Sequence, residues 1–128
     1  MEHKKSVLMV GLDPVLIDFS SPEFAPMNLS ADRVLSALRA DGERLHGLGY
    51  EAENCLTDFG ETAGQVVADK LRTKAYDCVM IGAGVRVIPS NFLLFEKLIN
   101  VVHANAPQAK LCFNTKPSDT AEAVMRWI

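Results

Sequence analysis

The sequence has no excess of positive charge and no long apolar run, and each absence removes a class of partner. Its 13 Lys and Arg residues are outnumbered by 16 Asp and Glu residues, which gives a net charge of −3. Because a nucleic-acid binder needs a basic face, we expect no nucleic-acid partner. No apolar stretch approaches the roughly 18 residues that a membrane helix needs, so we expect no membrane partner either.

The sequence also lacks a secretory signal and a paired-cysteine motif. The apolar run that follows two N-terminal lysines is broken at Asp13, and no small-residue cleavage site comes after it. The three cysteines are widely spaced, which is typical of buried thiols in a reducing compartment. We therefore expect a cytoplasmic protein. The cysteines (Cys55, Cys78, Cys112) and the histidines (His3, His46, His103) form neither a metal-ligand pattern nor a catalytic triad, and the sequence leaves any cofactor unknown.

The composition that is present is typical of one globular domain. The chain has 128 residues, of which 48% are hydrophobic and 23% charged, so it can bury a sizeable core. It contains no internal repeat, low-complexity segment or linker. We expect a single domain over residues 1–128.

Strand-like and helix-like segments alternate four times along the chain. Apolar runs of strand length indicate four strands, and the unbroken run from Cys78 to Ile81 is typical of a central parallel strand. Apolar residues at intervals of three and four indicate four helices. The strands are predicted at residues 6–12, 50–56, 76–84 and 110–114, and the helices at residues 30–49, 61–74, 90–106 and 118–128.

Two of the predicted helices carry recognisable end signals. Ser30 has the position of an N-cap and Gly49 that of a glycine just after a helix C-terminus. Asp58 and Glu61 have the spacing of a capping box, with Asp in place of Ser or Thr, which would open the second helix.

The alternation of strands and helices predicts right-handed crossovers and a parallel sheet covered on both faces. We expect an α/β fold of the flavodoxin-like or Rossmann-like kind: a three-layer doubly wound sheet of four parallel strands, order 2-1-3-4, with four helices. Strands two and four would be exposed edges, and helix 90–106 has an apolar arc wider than one sheet face requires. Both features favour a homodimer.

A doubly wound sheet binds its ligands outside the carboxyl ends of the strands, at the point where the strand order reverses. In the order 2-1-3-4, residues 12–28 and 82–91 would meet there. The first segment has the length of a functional lid. The glycines of the second would present amides to an anion, with two cations beside them. The predicted ligand-binding residues are Asp13, Asp18, Ser20, Ser21, Gly82, Gly84, Arg86, Asn114, Thr115 and Lys116.

Each of these features also has an ordinary structural explanation. The apolar side chains between Val15 and Phe24 would fold the 13–29 segment down as a plug over the sheet end. The glycines would then only make a turn, and Arg86 would pair with Asp13 or Asp18. The sequence does not decide whether the 13–29 segment is a lid over a ligand or a structural plug.

Three stretches of the chain resemble a response-regulator receiver domain. KSVLMVGLDPVLIDF is similar to the family's first strand and acidic turn, YDCVMIGAG to its third strand, and Lys116-Pro117 to its Lys-Pro after the fifth strand. The resemblance implies phosphoryl transfer to an aspartate beside Mg²⁺. However, Gly82 stands in place of the phosphoacceptor, and Gly11 and Leu12 in place of metal-binding acids. The resemblance therefore implies a relative of the family that is shorter by one βα unit. Such a relative cannot be phosphorylated by the family's mechanism.

Three functions remain open, and the sequence does not decide whether the chain is an enzyme. The first is a non-catalytic binding module for a small anionic ligand at the carboxyl ends of the strands. The second is a protein-interaction module, a degenerate receiver-like homodimer that uses helix 90–106 and Trp127. The third is a small hydrolase in the 13–24 segment, with an aspartate as base and a serine as nucleophile. No suitably placed His or GxSxG motif supports the third, so we rank it last.

Overall fold

The computed structural model of the chain describes residues 4–128, and it contains a four-stranded sheet in which every neighbouring pair is parallel. The strand order is β2-β1-β3-β4, which confirms the predicted α/β fold and its topology. His3 lies outside the described residues. The strands are β1 (Ser6–Leu12), β2 (Glu51–Thr57), β3 (Cys78–Ile81) and β4 (Lys110–Phe113).

The two central strands are apolar because both of their faces are covered. Val7, Met9 and Val79 are buried, as are their neighbours on both strands, so no position needs a polar side chain. β1 pairs with β2 from Ser6 to Leu12 and with β3 from Val7 to Val10. β1 therefore has strand partners on both sides and helices above and below.

The helices divide between the two faces of the sheet. Leu45 of the first helix packs with Val124 of the last over one face, and Val67 of the second packs with Leu98 of the fourth over the other. The described residues form five helices, which are α1 (Ala31–Gly47), α2 (Ala63–Leu71), α3 (Ala83–Arg86), α4 (Phe92–Asn105) and α5 (Thr120–Met125). The sequence predicted four of them; α3 is a single turn, too short to show an apolar period.

The end signals predicted for α1 are confirmed. Ser30 Oγ accepts a hydrogen bond from Arg33 N at 3.2 Å, and Gly49 follows the helix with a φ of +95°. This left-handed conformation is one that glycine adopts without steric cost.

The capping box predicted for α2 is wrong, because the helix begins at Ala63 rather than at residue 61. Gly60 has a φ of +128°, so the chain is still turning there. The Asp58 carboxylate instead reaches forward and accepts hydrogen bonds from Thr62 N at 3.0 Å and Ala63 N at 3.1 Å. It thus serves two amides at the helix start from across the turn, and Glu61 is exposed.

The wide apolar arc of α4 is largely accounted for within the chain. Leu94, Leu98 and Val102 are buried on the sheet. On one side of them Phe95 packs edge-on against Phe113 of β4, with ring centroids 5.7 Å apart. On the other side α4 packs against α2. The large apolar side chains of α4 that stay exposed are Phe92 (61%) and Leu93 (73%), at its first turn.

Candidate functional site

A cavity of about 360 Å³ lies at the carboxyl ends of the strands, where the strand order reverses. β1 and β3 form its floor, through residues such as Val10, Leu12 and Met80. This is the position at which doubly wound sheets bind their ligands, and the one predicted for this chain.

The walls of the cavity are mostly apolar. α1 contributes Val34 and Leu38, and the turn after β3 contributes Val85 and Val87. The remaining apolar wall comes from the segment between β1 and α1, through Ile17, Phe19, Phe24, Met27 and Leu29.

The segment between β1 and α1 is both a plug and a cavity wall. It is shaped by two 3-10 turns, at Pro14–Leu16 and Ala25–Met27. Phe24 is buried and packs edge-on against Phe19 with ring centroids 6.1 Å apart. Glu23 accepts a hydrogen bond from Ser90 Oγ at 2.6 Å, which fastens the segment to the turn before α4. The lid and plug alternatives are therefore not exclusive, since the side chains that pack on the core also face the cavity.

A chain of buried polar groups forms one corner of the cavity. Asn114 Oδ1 accepts a hydrogen bond from Ala83 N at 2.8 Å, and Asn114 Nδ2 donates to Thr120 Oγ1 at 3.0 Å. Thr120 Oγ1 donates in turn to Asp41 Oδ2 at 2.8 Å. Asp41 and Asn114 line the cavity, whereas Thr120 is fully buried behind them. This series of three hydrogen bonds connects α1, α5, the end of β4 and the start of α3.

Asp41 is the acid of this corner, and its side chain is only 8% exposed. Burial raises the pKa of the Asp41 carboxyl, and the hydrogen bond from Thr120 and the charge of Arg44 oppose that shift in part. The neighbouring acids Asp119 and Glu122 raise the pKa further. The surroundings of Asp41 therefore favour the protonated form of its carboxyl over the ionised form.

The other polar side chains that line the cavity follow β4. They are Thr115 and Lys116. Thr115 N donates a hydrogen bond to Asp119 Oδ1 at 3.0 Å, and Thr115 Oγ1 donates another to the same carboxylate. Lys116 N donates to the same carboxylate oxygen at 3.3 Å. These bonds to Asp119, together with the charge of Lys116, outweigh its burial and lower the pKa of that carboxyl. One carboxylate thus fixes the backbone from which the Lys116 side chain extends.

The glycines of the second predicted loop do line the cavity, but the surrounding amides do not form the expected anion cradle. Gly82 N donates to Val10 O at 2.9 Å, Ala83 N to Asn114 Oδ1 at 2.8 Å, and Val85 N to Gly82 O at 3.1 Å. These donors are taken up by β1, by the Asn114 side chain and by the turn of α3 itself, which leaves none of these three amides for an anion.

Arg86 is placed differently from the prediction. Its guanidinium Nη2 donates to Asn114 O at 2.9 Å, and Arg86 is not part of the cavity lining. Its Nε is buried and makes no hydrogen bond to any residue that the structure describes. Neither Asp13 nor Asp18 is its partner, because α3 turns the side chain toward the end of β4. Arg86 therefore ties α3 to β4 and does not face an occupant.

The acids and serines of the 13–24 segment stay outside the cavity lining. Asp13 Oδ1 accepts from Val15 N at 3.1 Å and caps the first 3-10 turn. Asp18 Oδ1 accepts from Ser20 Oγ at 2.6 Å, and this bond lowers the pKa of the Asp18 carboxyl. Ser21 N donates to Asp18 O at 3.1 Å within the same turn. Asp18 and Ser20 therefore have the contact that a hydrolase requires between base and nucleophile. However, a general base needs a raised pKa, and the pKa of the Asp18 carboxyl is lowered.

The remaining sequence candidates for chemistry lie elsewhere. The three cysteines are buried, and Cys78 Sγ and Cys112 Sγ lie 3.3 Å apart between β3 and β4. Within residues 4–128 no three His, Cys, Asp or Glu side chains are grouped so that they could hold a metal ion. In the same part of the chain no helix is both long and apolar enough to cross a membrane.

No protein-family model and no curated protein matches this chain. The function is therefore argued from the site itself.

Five of the ten predicted site residues line the cavity: Gly82, Gly84, Asn114, Thr115 and Lys116. Sequence reasoning missed Asp41 and the apolar wall contributed by α1. A signal was present, because Val34, Leu38, Asp41 and Leu45 follow one another at helical spacing. An acid on the apolar face of a helix is rarely found without a partner in the interior, so this spacing pointed to a buried polar site.

Proposed function

We propose that this chain is a non-catalytic binding module that holds a small anionic molecule in the strand-end cavity. The observation that carries the proposal is Lys116, the one cationic side chain that residues 4–128 contribute to the lining of a mostly apolar cavity. Lys116 is exposed at the mouth of the cavity, so an anion can pair with it there while the rest of the ligand lies against the apolar walls.

Binding without bond breaking is favoured by the polar groups around the cavity. The hydroxyl nearest to Asp41 belongs to Thr120, which is fully buried and does not line the cavity. The serines that contact or follow Asp18 lie outside the cavity lining. Thr115 lines the cavity and its hydroxyl bonds to the Asp119 carboxylate, but the pKa of that carboxyl is lowered, whereas a general base needs a raised one. The polar side chains therefore have the arrangement of a recognition site.

A thermal-shift screen tests the proposal, with nucleotides, phosphorylated metabolites, carboxylates and Mg²⁺ as the panel. A ligand at about 100 times its dissociation constant raises the free energy of unfolding by roughly 2.7 kcal/mol, or several degrees in Tm for a domain of this size. We expect the shift to be lost in Lys116→Met and kept in Lys110→Met. Lys110 is the matched control because it is exposed at the opposite end of β4 and outside the cavity lining.

Arg86→Ala separates this proposal from the earlier prediction that Arg86 binds the anion. Because Arg86 bonds to Asn114 O outside the cavity lining, we expect its loss to lower the basal Tm and to leave a ligand-induced shift measurable. A shift lost in Arg86→Ala but kept in Lys116→Met would contradict the assignment to Lys116.

A second candidate is a protein-interaction module that works as a receiver-like homodimer. It is favoured by Phe92 and Leu93, which are 61% and 73% exposed on the first turn of α4. Trp127 is also exposed, but it follows α5 on the other face of the sheet, so one surface that included all three would have to extend around the β4 edge. Sedimentation equilibrium of the wild type and Leu93→Asp tests this candidate. A concentration-dependent dimer that the substitution dissociates would support it.

A further inference from the structure

The volume of the strand-end cavity limits the size of its occupant. The cavity measures about 360 Å³. This value lies at the lower end of the range of roughly 300–1,000 Å³ that small-molecule pockets occupy, so the cavity suits a small occupant. A nucleoside triphosphate or a dinucleotide is larger than this space.

The apolar walls limit the chemistry of the occupant. α1 contributes Val34 and Leu38, and the segment between β1 and α1 contributes Phe19, Phe24 and Met27. A hydroxyl placed against these side chains would lose its hydrogen bonds to water and gain none. A sugar or a sugar phosphate therefore fits poorly, whereas a hydrocarbon or aromatic body is stabilised by leaving water.

The charges around the cavity limit the occupant to a single negative charge. Lys116 is its one cation among the described residues, and the Asp41 carboxyl also belongs to the lining. The Arg86 guanidinium is bonded to Asn114 O, and the amides at 82, 83 and 85 are bonded within the protein. A phosphate monoester carries close to two negative charges and is held by several strong donors, whereas one cation faces this cavity from the described residues and three of the loop amides are already bonded. A carboxylate carries one charge and needs one strong partner.

We infer that the occupant is a small monocarboxylate with an apolar body, that is, an aliphatic or aromatic acid. This inference rests on the proposed function, because it names the class of anion that the cavity holds. The carboxylate pairs with Lys116 at the exposed end of the cavity, and the apolar body lies against α1 and the segment between β1 and α1.

Calorimetric titration of the full chain with straight-chain carboxylates tests the inference. From butanoate to octanoate we expect affinity to rise about fourfold with each added methylene, as for a chain leaving water for an apolar site. 1-Octanol serves as the neutral match for octanoate and should bind more weakly. AMP and inorganic phosphate serve as polar anions and should bind more weakly than octanoate.

Two pairs of variants locate the binding. Lys116→Met should weaken octanoate binding by about ten- to a hundredfold, the range expected when one charge-assisted hydrogen bond is lost, and Lys110→Met should leave it unchanged. Leu38→Trp fills the cavity and should weaken octanoate binding at least tenfold, whereas Leu48→Trp, exposed beyond the end of α1, should not. If Leu38→Trp does not fold, Leu38→Phe makes a smaller obstruction at the same wall.

The outcomes separate the inference from the proposed function. AMP or phosphate binding that Leu38→Trp blocks, without octanoate binding, would overturn the inference and keep the cavity as an anion site. Octanoate binding that ignores Leu38→Trp or Lys116→Met would also overturn it, because the acid would then bind elsewhere or without its charge. If none of these probes binds and the thermal-shift panel is also silent, the proposed function fails as well.

Discussion

Three side chains donate hydrogen bonds to the carboxylate of Glu53, a residue that the sequence did not single out. Its carboxylate lies on the edge strand β2 and accepts from Lys70 Nζ at 2.8 Å, Lys74 Nζ at 2.6 Å and Tyr76 Oη at 3.0 Å. These donors lower the pKa of the Glu53 carboxyl from 4.5 to about 2. The same charges cover an edge strand that would otherwise offer unpaired backbone groups to another chain.

The lowered pKa of Glu53 predicts a loss of stability in acid. Because the folded state holds the carboxylate ionised, its contribution is complete above about pH 5 and is lost as the pH falls from 4.5 toward 2. Glu53→Gln should lower the free energy of unfolding by about 1 kcal/mol at pH 7, a figure reduced for exposure to solvent. Near pH 2 it should have almost no effect. Urea unfolding at both pH values measures this, with the exposed Glu61→Gln as a control that should change little at either.

Asp41 predicts the opposite dependence on pH. Burial raises the pKa of its carboxyl, so the folded state binds this proton more tightly than the unfolded state does. The protonated Asp41 carboxyl therefore makes its full contribution to the free energy of unfolding below its ordinary pKa of about 4. This contribution is lost as the pH rises through the raised pKa of the folded state. Asp41→Asn keeps an acceptor for Thr120 Oγ1 and removes the charge, so it should be more stable than the wild type at pH 7 and lose that advantage near pH 3. A variant less stable than the wild type at pH 7 would show that the ionised carboxylate is required.

At the scale of elements, the sequence predicted best where burial determines residue type over several positions. β1 was predicted at its observed bounds because a strand buried on both faces must be apolar throughout, and α1 because Ser30 and Gly49 mark its ends. α3 was missed because four residues carry no period. That short turn also directs Arg86 toward Asn114 O and away from the cavity lining, an effect that cannot be read from residue types.

The segment between β1 and α1 gives a test at this scale. Phe24 is 6% exposed and packs on both the core and the cavity, so Phe24→Ala should lower the free energy of unfolding by about 3 kcal/mol. Leu16→Ala, in the same segment but exposed, should cost less than about 0.5 kcal/mol. Denaturant unfolding of the two variants compares them. Equal, small losses would mean that the segment is only a lid resting on a finished core.

At the scale of the whole molecule, the site joins elements from both faces of the sheet. α1 and α5 belong to one face and Phe24 and Val85 to the other, and all but α5 contribute side chains to the cavity directly. Composition and periodicity predicted the sheet, the strand order and the edge at which the cavity opens. They could not predict its walls, because these depend on which side chains meet across layers that are distant in sequence.

The central position of β1 has a consequence for how the chain is made. Its partners are β2, which ends at Thr57, and β3, which ends at Ile81. During synthesis, β1 therefore emerges before either partner: Ser6 must wait for Glu51 of β2, and the other edge of the strand stays open until Cys78 of β3 arrives to pair with Val7. Until they arrive, the segment SVLMVGL is an apolar strand with open edges, which is the kind of segment that aggregates.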